Sequence, residues 1–179
     1  MIPAEKDAKA LWDKYQLPEA KRVHMTLVAK VAMTIASGLK RQGVTIDTTL
    51  LLASALLHDI DKAIPKLPGE KHPDSAVRVL REEGMKEVAE VVKTHSLHAI
   101  LDSSTAPVSL AQKVLYLADK MVKYEVVGVD KRFALWRAEN LPADAQVILD
   151  TSYPLVKKLE SELLHLTGIN MGGLAKKSP

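Results

Sequence analysis

Cysteine is absent from the 179 residues. That excludes a disulfide scaffold, cysteine-ligated zinc, an iron–sulfur cluster and thiol catalysis, and it leaves the cytoplasm as the expected compartment. Aromatic residues are scarce, one Phe, two Trp and four Tyr. They are too few for a base-stacking platform of the kind that holds single-stranded nucleic acid. No apolar run approaches the ~20 residues that a membrane span needs. The longest, Leu50 to Leu57, is interrupted at Ser54 and closes on His58-Asp59, so no membrane partner is expected. Met1 to Asp7 carries acid and no apolar core, so no signal peptide is read there. A surplus of one charge sign is lacking too. The net charge of +3 suits an anionic small molecule and is too weak and dispersed for specific nucleic-acid binding.

What is present is helical punctuation. The length suits one domain over residues 1–179 with a sizeable core. Apolar residues at Val23, Leu27, Val28, Val31 and Ile35 repeat with a helical period and predict a helix from Glu19 to about Lys40, closed by Gly43. Asp47, with Thr48 and Thr49, predicts an N-cap for a helix over 48–62 that is apolar on all sides and therefore internal. Three prolines and a glycine make Ala63 to Pro73 a loop, long enough to edge a site. Pro73 then opens a helix that ends at Gly84. Further helices are expected at 4–16, 86–101, 108–127, 130–140 and 143–166, followed by a frayed tail over 168–179. The last helix carries Val147, Leu149, Tyr153, Leu155, Val156, Leu159 and Leu163 and is expected to pack on the core or on a second subunit in a homodimer. No strand-like alternation or internal repeat is found. The expected fold is all-α, one bundle of seven or eight helices.

Polar residues standing where apolar ones belong carry the functional signal. His24 lies on the stripe of Leu27, Val28 and Val31; His58 and Asp59 end the most apolar helix; His95 follows Val91 and Val92; Asp119 follows Leu115 by one turn. Singly, each has a structural explanation. A lone histidine can be a hydrogen-bonded core residue, Asp119 can pair with Lys120 or Lys123, and His72 can be a solvated loop residue. Jointly they demand more, because buried carboxylates without a cationic partner are costly or become protonated. The available cations are lysine, arginine or a metal. Imidazole with carboxylate is a ligand set for iron, manganese, cobalt, nickel or zinc rather than calcium.

The series His24, then Leu56-Leu57-His58-Asp59-Ile60-Asp61-Lys62, then Asp119 within Tyr116-Leu117-Ala118-Asp119-Lys120 resembles the H…HD…D signature of the HD-domain superfamily of metal-dependent phosphohydrolases. The resemblance covers roughly residues 20–127. It implies a helical fold, one or two transition-metal ions and hydrolysis of a phosphorylated substrate. His72 and His95 match the additional ligands of two-metal members, among them the dinucleoside-tetraphosphate hydrolases and the cyclic-di-GMP phosphodiesterases. Asp61 stands where the common motif has Gly and no GYP motif is present, which disfavours the cyclic-di-GMP branch. By this resemblance the first ion takes His24, His58, Asp59 and Asp119, and the second takes His72 and His95 with Asp59 as a bridge.

Around this set, Lys62 lies one helical turn after His58 if the helix continues, and is expected to bind a non-bridging phosphate oxygen as a point charge. Asp61 is expected to orient the attacking water or to hold a histidine. With Asp59 these make the catalytic set. His98, Lys120 and Lys123 are candidates for substrate contact, and Tyr116 and Tyr124 for contact with a base. His165 is read as structural. The expected substrate is a phosphorylated small molecule, a nucleotide or dinucleoside polyphosphate. Two alternatives stand beside the enzyme: a non-catalytic sensor that binds nucleotide or metal, and a helical scaffold with merely structural histidines.

Overall fold

A computed structural model describes residues 1–169; the part of the expected tail from Asn170 onward lies outside the described residues. Eight α-helices are described: α1 (Glu5–Lys14), α2 (Glu19–Arg41), α3 (Thr48–Leu57), α4 (Asp74–Glu82), α5 (Lys86–Val92), α6 (Leu110–Lys120), α7 (Val129–Arg137) and α8 (Ala143–Thr167). Two 3₁₀ turns, Ile60–Ala63 and Leu97–Leu101, follow α3 and α5. Among the described residues there is no strand, only an isolated bridge between Val122 and Val126. The all-α expectation holds.

The hydrophobic pattern sets the layering. α2 buries Met25, Val28, Val31, Ala32, Ile35 and Leu39 along one stripe and packs on α3, α6 and α8. α3 is capped by Asp47, whose side chain accepts from the backbone of Thr49 and Leu50 at 3.0 and 2.9 Å. It buries Leu51, Ala53, Ala55, Leu56 and Leu57, as an all-round apolar helix must. Each fully buried leucine contributes about 1.5–3 kcal/mol of transfer free energy, so this short helix is held by its neighbours more than by its own propensity. The last helix, α8, lays Leu149, Val156, Leu159 and Leu163 on the core and leaves Val147 and Leu155 exposed. Gly38 lets α2 and α8 approach closely: a Cβ there would stand 2.7 Å from Thr167 and from Ile169. No helix of the described residues is long and apolar enough to cross a membrane.

Three predicted helices end earlier than their periodicity implied. α3 stops at Leu57 rather than 62, α5 at Val92 rather than 101, and α6 at Lys120 rather than 127. The first two stops share a device. His58 and His95 each stand just past the helix and donate Nδ1–H to the carbonyl three residues back, Ala55 at 2.8 Å and Val92 at 2.6 Å. A carbonyl at a helix end needs a partner from outside the ladder, and here the imidazole supplies it. The third helix gives way to a turn in which Val127 and Gly128 both donate to the carbonyl of Met121, with Gly128 at a φ of 80°.

Candidate metal centre

The ends of α3, α5 and α6, the first two turns of α2 and the loop before α4 meet at the floor of one cleft of about 520 Å³. α2 contributes His24, the end of α3 contributes His58 and Asp59, the loop contributes His72, the turn after α5 contributes His95 and α6 contributes Asp119. His24 Nε2 lies 3.0 Å and His58 Nε2 3.5 Å from Asp119 Oδ1. On the other side, His72 Nε2 and His95 Nε2 stand 3.5 and 3.8 Å from Asp59 Oδ1. Nitrogen and oxygen donors of His24, His58 and Asp59 fall within 4.8 Å of one another, and so do those of Asp59, His72 and His95. Asp59 belongs to both groups. All six residues that the resemblance implied as ligands are brought together.

The orientation of the four imidazoles is uniform. Each has Nδ1 against an acceptor: His24 on the Lys123 carbonyl at 3.1 Å, His58 on Ala55, His95 on Val92, and His72 on both carboxylate oxygens of Asp61 at 3.0 Å. A ring that donates through Nδ1 presents a lone pair at Nε2 when neutral, which is the tautomer a metal ligand needs. All four Nε2 atoms point into the cleft floor. There His58 Nε2 is fully buried without a hydrogen-bond partner, and His72 Nε2 faces His95 Nε2 at 2.9 Å. Two imidazole lone pairs at that separation repel unless a proton or a cation lies between them. The donor set, the orphaned nitrogen and the opposed pair together fit transition-metal ions.

The electrostatics follow from burial and crowding. Burial opposes charge on Asp119, but Lys120, His24 and His58 outweigh it and hold the carboxyl well below the usual carboxylate range. Burial likewise opposes charge on Asp59, and His58, His95 and Lys62 outweigh it in the same direction. On His58, burial disfavours the protonated ring, yet Asp119 and Asp59 raise its pKa above the ordinary imidazole value. His95 goes the other way: burial pushes it down to about 4, against a smaller pull from Asp59. The carboxylates are thus kept ionised, as ligands must be.

The surrounding candidates divide. Lys62 remains beside the cluster although its helix does not continue: from the 3₁₀ turn its Nζ reaches Asp59 Oδ1 at 3.3 Å. Asp61 does not face the cleft. It is buried behind His72, held by that ring and by the Ser75 hydroxyl, so it orients the histidine rather than a water. His98 is exposed on the cleft rim, and Lys123 lines the wall with its ammonium 3.3 Å from Glu139. Lys120 borders the cleft, but its ammonium is buried and turned to the His95 carbonyl and Asp119 Oδ2, both at 2.6 Å. It balances Asp119 instead of opening to the mouth. Tyr116 is fully buried with its hydroxyl on the Leu97 carbonyl, out of reach of a base, whereas Tyr124 is exposed at the rim. His165 is exposed on α8, far along the chain from this cluster and outside the cleft lining.

The sequence reading missed Lys21, Arg132 and Trp136. Lys21 Nζ lies 3.1 Å from Asp59 Oδ2, and its signal was the i, i+3 spacing to His24 on one helix face. Arg132 and Trp136 line the same cleft from α7, where no motif marks them.

Comparison with known proteins agrees with this geometry. An uncharacterized protein of Methanocaldococcus jannaschii is 25% identical over 141 residues, covering 70% of this chain and 82% of the relative. No solved structure matches. The HD domain profile matches residues 23–123, more than half of the chain, and its span takes in His24, the His58-Asp59 pair, His72, His95 and Asp119. A buried histidine–aspartate cluster at the junction of these helices, within a segment that carries the family's profile, makes the chain a member of the HD domain family.

Proposed function

We propose that the protein is a metal-dependent phosphohydrolase that cleaves a phosphomonoester or phosphoanhydride bond of a nucleotide or dinucleoside polyphosphate. The observation that carries this reading is the convergence of four Nε2 atoms and two ionised carboxylates on the floor of a cleft edged by lysines. His24, His58, Asp59 and Asp119 would hold one ion, and His72, His95 and the shared Asp59 a second. Such ions, drawn from iron, manganese, cobalt, nickel or zinc, bring the pKa of water toward about 7 and offset phosphoryl charge.

The chain's own residues do the positioning. The carbonyls of Ala55, Val92 and Lys123 and the carboxylate of Asp61 fix the rings, so that little reorganisation is needed when charge develops. Lys62 and Lys21 each hold one oxygen of Asp59, and their ammonium groups, partly exposed to the cleft, can donate to non-bridging phosphoryl oxygens. His98 and Lys123 on the rim are assigned to the outer part of the substrate.

Purified protein screened with each metal against phosphomonoesters, nucleotides and dinucleoside polyphosphates tests the reading. Metal-dependent release of phosphate or nucleotide is expected. Stoichiometric metal binding with no turnover on the whole panel would favour the sensor alternative, and no metal uptake after reconstitution would favour the scaffold.

A further inference from the structure

Arg132 is anomalous among the six arginines of the chain. The other five arginines, Arg22, Arg41, Arg78, Arg81 and Arg137, each make a side-chain hydrogen bond or ion pair. The Arg132 guanidinium makes neither, and its Nε is buried without a partner. Burial lowers its pKa, and Asp119, Glu139 and Asp59 act on it only through space. The guanidinium lies over the Trp136 ring, with Cζ 4.0 Å from the ring centroid. Trp136 is in turn braced edge-on by the buried Phe133 at 5.3 Å. Stacking of this kind fixes the plane of the guanidinium while its edges, the donors, stay available. A half-buried cation over an aromatic ring in a cleft wall, with no hydrogen bond or ion pair of its own, lacks an anion.

We propose that Arg132, backed by Trp136, binds a second phosphoryl group of the substrate, one that is not being cleaved. This rests on the phosphohydrolase reading above and extends it. The metal cluster and Arg132 line the same cleft, but Arg132 comes from α7, outside the segment matched by the HD profile. The cleft lining carries five cationic side chains (Lys21, Lys62, Lys120, Lys123, Arg132) against three carboxylates, of which Asp59 and Asp119 belong to the cluster. Lys120 is turned to Asp119 and Lys123 faces Glu139, so once Asp59 is committed to the ions the cations left facing the cleft are Lys21, Lys62 and Arg132, which suits a polyanion. The guanidinium fork matches two oxygens of one phosphoryl group, which a lysine cannot do. The specificity that follows is for substrates with at least two phosphoryl groups over esters of a single phosphate.

The test uses the full chain, first freed of metal with a chelator, and inorganic pyrophosphate as the probe. Arg132→Met is expected to weaken pyrophosphate binding by about tenfold or more, and Arg132→Lys to fall between it and wild type. Without ligand, the melting temperature of Arg132→Met should equal or exceed that of wild type, since a group kept for a ligand is not kept for stability. Trp136→Leu, which frees the guanidinium plane, should weaken pyrophosphate binding less than Arg132→Met. In the metal-loaded enzyme, Arg132→Met should raise KM about tenfold for substrates with two or more phosphoryl groups and leave KM for a single-phosphate ester within twofold. Unchanged pyrophosphate affinity, or an equal KM change for both substrate classes, overturns the proposal. If wild type hydrolyses nothing with any metal, the phosphohydrolase reading fails, while the pyrophosphate measurement still decides Arg132.

Discussion

The two sides of the candidate metal centre are built differently. His24, His58 and Asp119 come from α2, the end of α3 and α6, three mutually packed helices whose apolar faces form the core. His72 and His95 come from a loop and a turn, held by Asp61 and by the Val92 carbonyl. On the first side the ligands inherit rigidity from packing that would exist without any metal. On the second side His95, though buried, stands beyond a helix end, and the partly exposed His72 depends on its hydrogen bonds to Asp61. Asp59 is the seam between them. A helix-borne site is the more strongly preorganised of the two, and a loop-borne site is easier to lose or to tune.

Asp59→Ala should break both sides at once. Hydrolysis is expected to fall on the order of 10³-fold or more, and elemental analysis should find both ions lost. His72→Ala separates the sides: about one ion per chain should remain, with turnover reduced roughly 10–100-fold. Retention of both ions in that variant would show that the loop does not furnish a site. Asp61→Asn leaves every candidate ligand in the chain and removes the charge behind His72 together with one of its two acceptor oxygens. It should weaken the second ion about tenfold in a competition titration, with the first ion unaffected. The smallest effect is expected for Lys62→Met, where metal content stays at the wild-type level and turnover falls about tenfold as a phosphoryl contact is lost.

Much of the first side was legible in the sequence. A histidine on an apolar stripe, a His-Asp pair closing an apolar helix and an aspartate one turn after a leucine can be recognised because helical periodicity assigns each position a face. The second side was legible only through its resemblance to two-metal relatives, since His72 in a Pro/Gly loop and His95 past a helix end have no periodic frame. The helix ends were misjudged for a related reason. Periodicity continues through 62 and 101, but the stops at Leu57 and Val92 coincide with imidazole–carbonyl bonds that local propensity does not encode. Lys120 illustrates the converse error: placed at the mouth by its position in the motif, it is buried because Asp119 and the His95 carbonyl hold its ammonium.

The sequence by itself determined the all-helical class, the buried faces and the chemistry of the donor set, because side-chain type and a 3.6-residue period suffice for those. Only the tertiary structure decided that Asp61 stands behind His72 rather than toward the cleft, that Lys120 is turned inward and that Arg132 shares a cleft with residues of other helices. Those are distances between segments remote in the chain, set by how the packed helices cross and by where their ends are capped, and no local pattern records them.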